Sequence, residues 1–273
     1  MSGLEEIARR GILLLGCGRM GSALVDGWLS RGLPPGAVAV LDPAPSPDLE
    51  ALARDGLRLN REPDAAPAVC LLAVKPQVMD AALPRVAGFG GGATLFVSIA
   101  AGIPLARLAE ALGPSTPIVR AMPNTPAAIG RGITALIGNA DVTETHLALA
   151  EDLLAAVGET VRLPDESLMD AVTAVSGSGP AYAFLLVEAL AAAGEAEGLP
   201  RDLALRLARA TVAGAGALAS ESGEDPATLR KNVTSPGGTT AAALAVLMAE
   251  DGLPTLLRRA VAAAAARSRE LAG

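Results

Sequence analysis

The sequence predicts a doubly wound α/β domain over residues 1–164, followed by an all-helical domain over residues 165–273. Three observations carry that expectation. Short apolar runs alternate with helical segments through the first half. The first run ends in a glycine-rich turn that opens a helix. From Pro180 onward the periodicity is helical throughout and alanine dominates.

The elements follow in order. Gly11–Leu15 is the first strand and Met20–Leu29 the helix after it. Ala37–Leu41 is the second strand and ends at Asp42. Val69–Val74 is a strong third strand, stopped by Lys75-Pro76, and Thr94–Ser98 and Pro117–Met122 are the next two. This alternation places helices on both faces of a mostly parallel sheet. Gly132–Gly138 and Glu159–Leu163 are expected to extend its edge. In the second half the helices are Pro180–Gly198, Arg201–Ser220, Gly238–Ala249 and Leu253–Ala272, with stops at Gly198-Leu199-Pro200 and Glu221–Pro226. Helix Pro180–Gly198 is apolar on more than one face, through Tyr182, Phe184, Leu185, Leu186, Val187, Ala189 and Leu190. Such a helix must be buried on several sides. It is either the centre of its own small domain or part of an intersubunit contact.

Composition narrows the classes. The 273 residues suit two domains, and with 51% apolar and 19% charged residues the chain can build a core. Every long apolar stretch is broken by Arg, Glu or a helix breaker, so no membrane span is expected. The charged residues Glu5, Glu6, Arg9 and Arg10 precede any apolar run, the reverse of a signal peptide. Two cysteines, Cys17 and Cys70, in apolar surroundings point to a reducing, cytoplasmic setting without disulfides. Those two cysteines and one histidine, far apart in sequence, make no standard zinc site. The net charge of −7, with no basic stripe, speaks against nucleic-acid partners.

Gly16-Cys17-Gly18-Arg19-Met20-Gly21 is a G-x-G-x-x-G between a strand and a helix, the context that a dinucleotide fingerprint requires. Gly16 makes the tight turn, Gly18 lets a pyrophosphate approach the backbone, and Gly21 allows close helix–strand packing. The helix start adds free N–H groups and the positive end of its dipole. Asp42, at the end of the second strand, can accept from the ribose hydroxyls; it can equally be an ordinary turn residue before Pro43. These features make the first half a Rossmann-type domain.

Three further loops leave the carboxyl ends of strands: Ala73-Val74-Lys75-Pro76-Gln77, Ser98-Ile99-Ala100-Ala101-Gly102 and Met122-Pro123-Asn124-Thr125-Pro126. Downstream lie DAVTAVSGSGPAY, Asp170–Tyr182, and TSPGGTT, Thr234–Thr240. Together these motifs resemble the pyrroline-5-carboxylate reductase family over Gly11 to about Leu271. The resemblance implies an N-terminal Rossmann domain and a C-terminal helical dimerisation domain, whose dimers commonly assemble into decamers. It implies reduction of the cyclic imine 1-pyrroline-5-carboxylate to L-proline with NADPH or NADH. It assigns Gly16, Cys17, Gly18, Arg19, Met20 and Gly21 to the pyrophosphate and Asn60 to the adenosine. Ala73, Val74, Lys75 and Pro76 would line the cofactor path, Ser98, Ile99 and Ala100 approach the nicotinamide, and Met122, Pro123 and Asn124 border the reacting centre. Ser235, Gly237, Gly238, Thr239 and Thr240 would form the substrate loop, with Thr240 nearest the ring nitrogen. One departure from the family pattern is an extra residue before Gly252, where Leu247-Met248 stands in place of a Leu-Glu pair.

The residues agree with that chemistry on their own terms. Gly237-Gly238 at a helix start exposes N–H groups suited to a carboxylate, and Ser235, Thr239 and Thr240 add hydroxyls. An iminium already carries its proton, so its reduction needs orientation more than a strong acid. Alcohol oxidation would need a base. The one histidine, His146, lies in a stretch that reads as a solvated helix, and Pro180–Gly198 lacks the lysine that a hydroxyacid dehydrogenase would want there. A non-catalytic dinucleotide-binding assembly protein is the other alternative, and it would have no use for the TSPGGTT hydroxyls. The loop after Asp42, Pro43–Ser46, has no basic residue, and the resemblance makes Arg61, beside Asn60, the nearest candidate for a 2′-phosphate, so the protein is expected to accept both NADPH and NADH.

Overall fold

The computed structural model describes residues 3–92 and 94–272. The chain forms two compact units, one from the residues up to Gly177 together with those from Ala265 on, the other from Ser178–Ala264. The first unit differs from the expected 164/165 boundary by the C-terminal residues from Ala265 on and by residues 165–177. Met169 and Ala174 there are fully buried, and Glu166 pairs with the buried Arg120, so this segment belongs with the sheet.

The first unit begins with α1 (Gly3–Arg10), β1 (Ile12–Leu15), α2 (Arg19–Ser30), β2 (Val38–Leu41), α3 (Pro47–Arg54), β3 (Arg58–Leu59) and β4 (Val69–Leu72). It continues with the single turn α4 (Met79–Ala82), β5 (Leu95–Ser98), α5 (Leu105–Leu112), β6 (Ile118–Met122), β7 (Gly132–Gly138), α6 (Glu144–Leu154), β8 (Gly158–Arg162) and the turn α7 (Met169–Val172). The strands form one sheet in the order β3-β2-β1-β4-β5-β6-β7-β8. All pairings are parallel except β6 with β7. The expected strands are all present, and β3, two residues long, is an addition.

Strands covered on both faces read as continuous apolar runs, and ILLL, VAVL and VCLL are buried along their whole length. Alternate residues supply two cores. Ile12, Leu14, Val38, Val40, Val69 and Leu71 pack on one face with α2 and α6, where Trp28 is fully buried. Its indole N–H donates to the Leu153 carbonyl at 2.8 Å. Leu13, Leu15, Leu41, Cys70, Leu72 and Phe96 pack on the other face with α4 and α5.

The second unit holds α8 (Gly179–Ala196), α9 (Arg201–Glu221), α10 (Pro226–Asn232), α11 (Thr239–Leu247) and the larger part of α12 (Leu253–Ala272). The sequence expectation had no helix at α10. Within this unit α8 lies along α9, and the buried residues are the alanines Ala191, Ala204 and Ala208. The large side chains face outward: Phe184 is 62% exposed, Leu185 63%, Leu218 55% and Val246 73%. The central-helix alternative for α8 therefore fails within the single chain. The stretch Glu166–Ala196 is the one described helical segment long and apolar enough to cross a membrane by length and composition. Interruption by Gly177, Gly179 and Pro180 hides this length in a reading based on unbroken apolar runs.

Candidate functional site

In the first unit β1 lies between β2 and β4, so the crevice beyond its carboxyl end is the topological switch point at which open α/β sheets bind ligands. Gly16 leaves β1 with φ +84°, and its N–H donates to the Leu41 carbonyl at 2.8 Å. A Cβ on Gly16 would stand 2.7 Å from Val74 Cγ1 and 3.2 Å from the Ala73 carbonyl. Gly18 differs. It is the N-cap of α2 with φ −72°, and a Cβ there would meet nothing within 4 Å. The fold therefore requires glycine at 16, whereas at 18 the missing side chain leaves open space above the helix start. The α2 N-terminus has no side-chain cap and no acid in its first turn. Its first N–H groups lack helical partners, so this loop suits a pyrophosphate.

Asp42 closes the loop from the side. The Cys17 N–H donates to Asp42 Oδ2 at 2.7 Å and the Ala44 N–H to Oδ1 at 2.8 Å. Asn60 holds the Asp42 peptide on both sides: its Oδ1 accepts from the Asp42 N–H at 2.9 Å, and its Nδ2 donates to the Asp42 carbonyl at 2.8 Å. Asn60 takes the left-handed conformation, φ +53°, which Asn tolerates better than most residues. Its side chain, assigned to adenosine by resemblance, is here a brace for Asp42. Burial pushes the Cys17 thiol up, the Ser22 hydroxyl partly opposes this, and the carboxylates of Asp42 and Asp26 add to it.

The other expected residues lie at the same carboxyl edge. The Ala73 N–H donates to the Leu15 carbonyl at 2.9 Å, and the Ile99 N–H to the Leu72 carbonyl at 3.1 Å. Lys75 is exposed and Val74 and Pro76 are half-buried. Ser98 is fully buried, with Oγ 3.4 Å from the Ala100 N–H. At the end of β6 Met122 is half-buried, and Pro123 beyond it is buried. The Asn124 carboxamide is committed within the protein: Oδ1 accepts from the Ile133 N–H at 3.0 Å and Nδ2 donates to Ser176 Oγ at 3.2 Å. Ser176 was not singled out from the sequence. It sits in a π-helical turn, Thr173–Gly177, a geometry frequent at functional sites. The Ser-Gly-Ser-Gly run was the available signal. His146 accepts the Thr143 N–H at Nδ1, 3.3 Å away, and so completes the cap of α6.

In the second unit the loop before α11 turns at Gly237, φ +68°, and the Gly238 N–H closes on the Ser235 carbonyl at 3.1 Å. Gly238 is the N-cap of α11 and no side chain caps this end. The Ala242 N–H is the first to return to the Gly238 carbonyl, at 3.2 Å, so the N–H groups of Thr239, Thr240 and Ala241 have no helical partners. Thr239 is exposed and Thr240 half-buried. Neither hydroxyl bonds to another described residue. The loop thus presents unpaired N–H donors and hydroxyls with no acid in the first turn, a set that fits a carboxylate.

The chain is similar to known proteins in sequence and in fold. Residues 166–271 match the family model described as pyrroline-5-carboxylate reductase dimerisation, and residues 11–102 the one described as NADP oxidoreductase coenzyme F420-dependent. The chain is 44% identical over 264 residues to the pyrroline-5-carboxylate reductase of Pseudomonas aeruginosa, covering 96% of each chain. It is 49% identical over 212 residues to that of Synechocystis, covering 78% of each. Among solved structures, a pyrroline-5-carboxylate reductase from Coxiella burnetii superimposes with a TM-score of 0.90 at 33% identity, covering 97% of this chain and 99% of that one. The Plasmodium falciparum enzyme with NADP bound gives 0.82 at 28% identity, covering 96% and 98%.

Proposed function

The chain belongs to the pyrroline-5-carboxylate reductase family, and on that premise we propose how its own residues reduce 1-pyrroline-5-carboxylate to L-proline. The protein is an oxidoreductase that uses NADPH or NADH, and the bound dinucleotide supplies the hydride. Its pyrophosphate rests on the loop Gly16–Gly21, at the uncapped start of α2. Ala73, Val74, Lys75 and Pro76 line its path, and Ser98, Ile99, Ala100, Met122 and Pro123 shape the nicotinamide end. Asn124, tied to Ser176 and Ile133, positions the loop after β6.

The substrate carboxylate binds the free N–H groups at the start of α11, with Ser235, Gly237, Gly238 and Thr239 around it. Thr240 is the catalytic residue. Its hydroxyl accepts the N–H of the protonated imine and, as charge leaves the nitrogen, can donate to the product amine. No protein group has to supply a proton, because the iminium brings its own. One observation carries this reading: half-buried Thr240, whose hydroxyl has no partner among the described residues, stands at a helix start whose N–H groups are also without helical partners.

Thr240→Val tests it, with the oxidation of NADH or NADPH followed spectrophotometrically. The variant keeps the shape and breaks no internal hydrogen bond, so the melting temperature should hold. A lost bond to a charged group, about 1.5–3 kcal/mol, lowers kcat roughly ten- to a hundredfold. Dinucleotide affinity should not change. Unchanged kcat with a lowered melting temperature would make Thr240 a structural residue instead.

The dimerisation match makes the protein self-associating. We extend this to dimers formed by the helical unit and stacked into decamers, in the cytoplasm, where the two buried free thiols stay reduced.

A further inference from the structure

The ribose end of the dinucleotide site has features that the proposed function does not use. A carboxylate has about four acceptor positions. Asp42 fills two of them with the Cys17 and Ala44 N–H groups. The capacity that remains matches the two hydroxyls of an unmodified adenosine ribose. The Asn60 brace fixes the peptide that carries this carboxylate.

The loop beyond Asp42 is poor in anything that would hold a phosphate. Pro43, Pro45 and Pro47 have no N–H. The Ala44 N–H is taken by Asp42, and Ser46 Oγ accepts from the Leu49 N–H at 3.2 Å as the cap of α3. The first turn of α3 adds Asp48 and Glu50, which oppose the positive end of that helix. Asp26 on α2 lies near enough to Asp48 that its carboxyl is raised, first by burial and then by that neighbour. Among the described residues, no Arg or Lys forms an ion pair with Asp42, Asp48 or Glu50. The exposed Arg61 stands beside Asn60, and Arg54 closes the last turn of α3.

We infer that Asp42 makes this chain select the dinucleotide with an unphosphorylated adenosine ribose, NADH over NADPH. The inference rests on the reductase reading and refines it. A 2′-phosphate would face a fixed carboxylate that, among the described residues, is paired with no Arg or Lys. Even at water-like screening, that repulsion corresponds to a preference of about tenfold or more.

The test is direct titration of the full-length protein with NADH and with NADPH, following the fluorescence of the bound dinucleotide, alongside kcat/KM for each. NADH should bind at least about tenfold more tightly. Asp42→Ser, which can still accept from the Cys17 N–H, should bring the two affinities within about threefold. Pro43→Arg leaves Asp42 in place, adds a cation on an exposed turn, and should tighten NADPH about tenfold. It decides the matter if the serine variant does not fold. Arg61→Ala should leave the ratio unchanged. Equal or tighter binding of NADPH by the native protein overturns the inference and leaves the reductase reading standing. So does an Asp42→Ser variant that folds and keeps its preference, or a Pro43→Arg variant with unchanged NADPH affinity. If neither dinucleotide binds, the reductase reading fails and the inference with it.

Discussion

Gly16 and Gly18 belong to one motif, yet alanine should act on them in opposite ways. At Gly18 the backbone, φ −72°, accepts any residue, and the new methyl group meets nothing within 4 Å. Alanine is a poorer N-cap than glycine by roughly 0.5–1 kcal/mol. It also removes about 0.4–1 kcal/mol of unfolded-state freedom. The two nearly cancel, and the melting temperature should move by less than about 2 °C. The methyl group nevertheless occupies the space through which a pyrophosphate approaches, so dinucleotide affinity should fall about ten- to a hundredfold. At Gly16 the cost falls on folding. A left-handed φ of +84° disfavours alanine by about 1–2 kcal/mol. A methyl group 2.7 Å from Val74 Cγ1 and 3.2 Å from the Ala73 backbone adds about 1–3 kcal/mol of overpacking. At about 2–4 °C per kcal/mol, Gly16→Ala should melt roughly 4–20 °C lower. Differential scanning fluorimetry with and without dinucleotide, combined with fluorescence titration, separates the two. Gly18→Ala that keeps its affinity within about threefold, or melts as low as Gly16→Ala, would refute the division of roles.

Two further outcomes follow. Glu166 Oε1 lies 2.6 Å from the buried Arg120 guanidinium and also accepts the Leu105 N–H at 2.9 Å. Glu166→Ala should therefore cost about 3 kcal/mol by leaving Arg120 unpaired, visible in calorimetry as a fall of roughly 6–12 °C, while a melting point within about 2 °C of the native one would count against it. Light scattering should find dimers or larger assemblies and no stable monomer at micromolar concentration, because the outward-facing leucines of α8 and α9 would otherwise form a large apolar patch.

The sheet was legible because buried parallel strands leave apolar runs: β1, β2 and β4 are unbroken, β5 is apolar up to Ser98, and β6 is interrupted only by Arg120. β3 was not, since two residues, one exposed and one half-buried, leave no periodic trace. α10 was hidden in what looked like a turn. Asp225 accepts the Ala227 N–H and Pro226 opens the helix, so the residues taken as a stop are a start. The glycine loop and the start of α11 were legible because glycine and hydroxyl residues announce bare N–H groups. The Asp42–Asn60 brace was not. It joins residues 18 apart through a side-chain amide and a left-handed backbone, and neither leaves a pattern in composition. The 165–177 stretch escaped for a similar reason, since its place beside the sheet depends on Arg120, far upstream in the chain.

A second unit whose buried residues are small alanines, with its leucines and phenylalanine facing outward, has a consequence for the protein's persistence in solution. Such a unit has little to hold it folded until another copy arrives. Its unfolding equilibrium is then a dissociation, and the law of mass action makes the melting temperature a function of protein concentration. Diluting the enzyme should lower its thermal midpoint and slow its refolding, whereas a subunit stabilised by its own core would behave alike at every dilution. A substitution on the outer face of α8 or α9 would then abolish activity by leaving subunits unpaired while the catalytic residues themselves stayed intact.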